Sequence, residues 1–100
     1  MIKHIVMWKI KDSHEGREKQ ALMNELKQQL ENLRAEIPEI GSLEVGLNVS
    51  ERPSAFDVVL YSEFADQAAL GTYRDHPKHI QVAEYAKTIV IDGAVVDYTV

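Results

Sequence analysis

Leu22, Leu26, Leu30, Leu33 and Ile37 recur at steps of four and three, and Pro38 follows at once. That spacing lines all five along one stripe of a helix. Proline disfavours helical backbone in the residue before it, so the helix stops there. The segment from about His14 to Glu36 is rich in Glu, Lys, Gln, Ala and Leu, with Asp12-Ser13 offering an N-cap and Glu15 in the first turn. Glu15 and Lys19 are expected to pair across one turn of its solvated face. A helix with a single apolar stripe gains most of its stability by packing that stripe on something. The flanking sequence supplies a sheet.

From Ile2 the period is two. Ile2, His4, Val6, Trp8 and Ile10 point one way, and Lys3, Ile5, Met7, Lys9 and Lys11 the other, which predicts a strand with one nearly apolar face. After the helix, Leu43, Val45, Leu47 and Val49 alternate with Glu44, Gly46 and Asn48 as a second strand. Residues 50–54, with Pro53, form a loop, and Phe56 to Phe64 reads as a third strand, the antiparallel neighbour of the second. Ala65-Asp66 caps a short helix to about Tyr73, and another starts near Pro77. The stretch from Thr88 to Val96 fits either a hairpin at Asp92-Gly93 or a helix reaching about Ile91 with Gly93 as its C-cap. The helix is the favoured reading, because Ala83, Ala86, Lys87 and Val90 continue its spacing. Ala94 to Val100 is the last strand, with Val96, Tyr98 and Val100 on one face and Val95, Asp97 and Thr99 on the other.

The order β-α-β-β-α-β predicts one α+β domain over residues 1–100 with a ferredoxin-like, four-stranded antiparallel sheet and its helices on one face. The uncovered face would still carry Ile5, Met7, Val59 and Tyr61. A half-apolar sheet face on so short a chain suits a second copy packing sheet against sheet, so a homodimer is expected. Sixteen acidic against eleven basic residues leave a net charge of −5, which argues against nucleic acid and anionic membrane surfaces as partners. The chain has no cysteine, which excludes disulfides, thiolate nucleophiles and Cys-based metal sites. No apolar run approaches the ~20 residues that span a bilayer. With no signal-peptide pattern at Met1 to Lys9, the expected location is the cytoplasm.

Chemistry concentrates in Tyr73-Arg-Asp-His76-Pro77-Lys-His79, which places a phenol and two of the four histidines within seven residues. Imidazole is the side chain that gives or takes a proton near neutral pH, and a Tyr hydroxyl can orient it or share the proton. Pro77 cannot continue a helix but fits the first turn of a new one, so Tyr73 would end one helix and His79 begin the next. Two readings stay open on spacing alone. The block is a proton-transfer site, or Tyr73 packs in the core while the histidines cap a helix. His4 and Trp8 share the apolar face of the first strand, where each is a core residue or a cavity wall. His76 and His79 have usable metal-ligand spacing, but no motif places a third ligand beside them, and no metal is expected.

Five stretches in order resemble the stress-responsive dimeric α+β barrel (Dabb) family. They are Ile2-Lys-His4-Ile-Val-Met-Trp-Lys, the run from Ile37-Pro38 to Gly46-x-Asn48, Asp57 to Phe64, Tyr73-x-x-His76-Pro77-x-His79, and Val95-Val-Asp-Tyr98. The resemblance implies a homodimer whose two sheets close a barrel, with a cavity between each sheet and its own helices. It also implies a relation to olivetolic acid cyclase, a plant member that closes a linear polyketide by an aldol condensation without a cofactor. On that pattern His79 is the base that removes a proton next to a carbonyl, and Tyr73 orients it and stabilises the enolate. His4 would line the same cavity on that pattern, and Trp8 and His76 are further candidate substrate contacts. That enzyme's polar cavity positions on the first helix and third strand are matched here by apolar residues near Leu30 and Val58, which leaves the substrate open. The alternatives are a non-catalytic dimeric stress-response or ligand-sensing module and a cofactorless monooxygenase-like enzyme. A cavity of ~300 Å³ or more reached by His79 would favour ligand chemistry, and a filled interior the structural module.

Overall fold

A computed structural model describes residues 1–100. Strand β1 (Ile2–Ile10) is followed by a two-residue hairpin of β2 (Ser13–His14) and β3 (Arg17–Glu18), then helix α1 (Lys19–Glu36). Strands β4 (Ser42–Leu47) and β5 (Val58–Phe64), helices α2 (Gln67–Asp75) and α3 (Pro77–Ile89), and strand β6 (Val90–Thr99) complete the chain. The main sheet has the order β4-β5-β1-β6 with every neighbouring pair antiparallel. It is the ferredoxin-like arrangement expected from the sequence.

The apolar stripe of α1 does what its spacing requires. Leu22, Leu26, Leu30, Leu33 and Ile37 are all buried, in one core with Val45, Val58, Leu60 and Phe64 of the sheet. Lys27 Nζ donates to Val45 O at 2.8 Å and pins the helix to β4. At the other end of the sheet Asp57 accepts from the Ile10 amide (2.8 Å) and pairs with Lys19 (3.3 Å), tying β1, β5 and the start of α1 together.

Strand β4 ends at Leu47 rather than Val49 and β5 begins at Val58 rather than Phe56, and two boundaries differ more from the sequence reading. The helix does not begin at His14. Glu15 (φ 50°) and Gly16 (φ 79°) both adopt left-handed backbone, the pair of positive φ values that closes a two-residue hairpin. Ser13 therefore pairs with Glu18, and His14 with Arg17. Helix α1 starts only at Lys19, whose side chain turns to Asp12 and Asp57 rather than to Glu15. At the other end α3 stops at Ile89 instead of reaching Ile91, and Gly93 is a strand residue opposite Trp8. Ile89-Val90-Ile91 is β-branched throughout, which suits extended backbone. Pairing with β1 from Ile10 onward outweighs the continuing helical spacing. A register shift between Lys9 and Ile10 absorbs the entry of the strand.

The open face of the sheet carries Lys3, Ile5 and Met7 of β1, Val59, Tyr61 and Glu63 of β5, and Val96 and Tyr98 of β6, as the register dictates. Tyr61 donates to the Glu63 carboxylate there, and the Lys3 ammonium lies 5.7 Å from the Tyr61 ring centre. Strand β6 is an edge exposed on both faces: Val95, on the helix side, is 64% exposed, and Val96, on the open side, 52%. No helix is long and apolar enough to cross a membrane.

Candidate functional site

The site forms where the helix layer fails to fill the space above β1. Alternation along β1 directs His4, Val6 and Trp8 into it, beside Leu60 of β5. Leu26 and Leu30 close it from α1. Helix α3 presents Ala83 and Ala86, whose methyl groups are too small to reach the sheet, and a cavity of about 260 Å³ remains. That is just under the ~300 Å³ at which small-molecule sites ordinarily begin, yet the interior is not filled.

Pro77 brings the phenol and imidazole together. His76 is at once the C-cap of α2 and the N-cap of α3, in extended backbone (φ −67°, ψ 135°). The chain therefore turns between Tyr73 in the last turn of α2 and His79 in the first turn of α3. Their rings lie 4.4 Å apart between centres, tilted by 48°. Tyr73 also packs on Phe64 at 5.0 Å and edge-on to His4 at 6.0 Å. It is 1% exposed, and its hydroxyl has no hydrogen-bond partner in the protein. Burial pushes its pKa well above the ordinary 10, so the hydroxyl keeps its proton and remains a donor.

His79 Nδ1 lies 2.9 Å from the Arg74 carbonyl oxygen. A carbonyl only accepts, so Nδ1 carries the proton and Nε2 is left with its lone pair. Burial lowers the His79 pKa below 6.5, and the Arg74 carbonyl partly opposes that shift. The neutral ring with a free Nε2 is the form a general base needs. The backbone carbonyl, not the Tyr73 hydroxyl, fixes the orientation of His79.

His4 is held in a parallel way. Its Nδ1 bonds to the Asp97 carboxylate, directly opposite on β6. Asp97 was placed by the sequence on a strand face with Val95 and Thr99, but its partner lies 93 residues away, and only the strand register brings the two together. Lys87 also lines the cavity and was read from the sequence only as helix. His76 does not line it. Its Nδ1 accepts from the Lys78 amide at 3.0 Å, capping α3. The site thus gathers His4, Trp8, Tyr73 and His79 and leaves His76 outside. No three His, Cys, Asp or Glu side chains are grouped to hold a metal ion.

A ferredoxin-like antiparallel sheet, covered on one face and enclosing a histidine-bearing cavity under its helices, defines a small α+β sandwich protein. The chain belongs to the Dabb family, the stress responsive A/B barrel domain, whose model matches residues 2–100. SCO4036, an uncharacterized protein of Streptomyces coelicolor, is 32% identical over 79 residues, 79% of each chain. A dimeric protein of unknown function and ferredoxin-like fold from Bacteroides fragilis superposes with a TM-score of 0.87 at 34% identity, over 99% of this chain and 95% of that one. The hydroxynitrile lyase of Passiflora edulis has the same fold (TM-score 0.83, 18% identity, 99% and 92% covered).

Proposed function

We propose that this protein binds a small molecule in the sheet–helix cavity and transfers a proton next to its carbonyl, with His79 as the base and no cofactor, in the manner of a polyketide cyclase. The observation that carries the reading is the state of His79. Burial disfavours its charged form, its Nδ1–H is anchored to the Arg74 carbonyl, and its Nε2 has no hydrogen-bond partner, on a ring that lines an apolar cavity. The proton on the carbon next to the carbonyl passes to Nε2, and the electron pair moves onto the carbonyl oxygen. The Tyr73 O–H, buried and unpartnered, donates to that enolate oxygen. The proton held on His79 Nε2 is the one returned to the product, and His4, held by Asp97, contacts the substrate from the same cavity. Trp8 forms part of the apolar wall, and His76 serves the start of α3. The fold alone does not choose the reaction.

The protein acts as a homodimer through the open sheet face. Only 19 of 100 residues are buried in the single chain, and the apolar side chains of β1, β5 and β6 on that face lack a cover. The Bacteroides fragilis protein, described as dimeric, supports a dimer. The non-catalytic reading draws on the contact of Tyr73 with Phe64, which suits a packed core.

A thermal-shift screen of aromatic and polyketide-like acids, with NMR detection of solvent deuterium entering next to the carbonyl of any binder, tests the proposal. His79→Ala should abolish exchange while stability stays within ~1 kcal/mol of wild type. Tyr73→Phe should slow exchange and leave folding intact. Binding without exchange would favour the sensing module, and loss of folding in His79→Ala would make the residue structural.

A further inference from the structure

We infer that the ligand is a monocarboxylic acid with an apolar body, its carboxylate paired with Lys87 at the cavity mouth and its opposite end against Tyr73 and His79. The inference rests on the reading of the cavity as a ligand site and adds the chemical class.

Helix α3 sets the geometry. His79, Ala83 and Lys87 fall at steps of four on the one face that lines the cavity. Eight residues of helix place the ends of that row ~12 Å apart. Ten of the thirteen lining residues are hydrophobic, and the others are His4, His79 and Lys87. The cavity is therefore apolar along its length, with imidazoles at one end and a single ammonium at the other.

Lys87 has no partner of its own. Acidic groups pair with Lys19, Lys27, Arg17, Arg74, His4 and His14, but none lies within 4.0 Å of Lys87. Its place in the last turn of α3 suits the helix dipole. The dipole does not require the side chain to border a cavity. Lysine can lay its methylene stem on the apolar wall and keep its charge at the mouth. Other lysines and arginines also lack an acidic partner, but Lys87 is the one Lys or Arg side chain that borders the cavity, so in a chain of net charge −5 it is where an anion entering that cavity would be accepted. A lone ammonium is a point charge that matches a monoanion. A phosphate dianion calls for several converging donors, which this wall does not offer.

Trp8 is the only tryptophan and lines the cavity, so its fluorescence reports occupancy directly. The experiment titrates octanoate and octan-1-ol into the wild type, Lys87→Met, Lys87→Arg and Ala83→Leu. Wild type should bind octanoate roughly five- to tenfold more tightly than the alcohol. Lys87→Met should erase that preference without changing alcohol binding, Lys87→Arg should keep it, and Ala83→Leu should block both ligands by filling the cavity. Equal binding of acid and alcohol by the wild type, or an acid preference that survives in Lys87→Met, would overturn the inference and leave the cavity reading standing. Failure of the wild type to bind either compound would overturn both.

Discussion

His79 feels two opposed influences. Burial disfavours its charged form, while the Arg74 carbonyl, as an acceptor, favours it; burial is the larger. The folded pKa is thus depressed below 6.5, the value near which the unfolded chain titrates. Between the two values the unfolded state binds the proton more readily, so stability declines as pH falls from 6.5 and levels off below the folded pKa. Urea unfolding at pH 7.5, 6.5 and 5.5 should show that decline, and His79→Gln should show less of it. Equal pH dependence in both proteins would mean that His79 titrates as if in water. The same depression keeps Nε2 available as a base to more acidic pH than a free imidazole would allow.

Among the elements, the short hairpin before α1 and the strand after α3 show how local chemistry competes with pattern. Gly16 sits at φ 79°, and a Cβ there would meet nothing within 4 Å. Gly16→Ala therefore costs only backbone strain, about 1 kcal/mol, and Gly16→Asn should cost less, because Asn tolerates left-handed backbone. Chemical denaturation of the two variants checks the order. If both matched wild type, the turn would be free to adopt another shape. The helix start was hidden because Asp12, Ser13 and Glu15 satisfy the capping pattern as well as they satisfy a turn. The start of β6 was hidden because Ile89, Val90 and Ile91 fit the end of an amphipathic helix and the beginning of a strand equally. The stripe of α1 had no such competitor: five buried residues at helical spacing have no period-two reading.

For the whole molecule, the open sheet face and edge strand β6 govern association. Val96 is paired with Ile5 across the sheet and remains half exposed. Val96→Asp would place a charge on the proposed interface, where an unpaired buried charge is costly. Sedimentation velocity at low micromolar concentration should find the wild type dimeric and the variant shifted to monomer. A wild-type monomer of full stability would sink the assembly. The candidate site was legible in the sequence to the extent that it is local. Tyr73 and His79 are joined by the Pro77 break, and His4 and Trp8 share a strand face by alternation. Asp97 was not legible as the partner of His4, nor the Arg74 carbonyl as the anchor of His79. The first depends on the register of β1 with β6, and the second on the angle at which α3 leaves His76.

Sequence by itself determined the order of the main strands and helices, the buried faces of β1 and α1 and the residues able to carry proton chemistry, because period and turn chemistry act over a few neighbouring residues. Tertiary structure alone decided which ring nitrogens are anchored, that small alanines on α3 leave a cavity, and that Lys87 stands at its mouth. Those features depend on register and packing between segments far apart in the chain, where no local pattern records the distance.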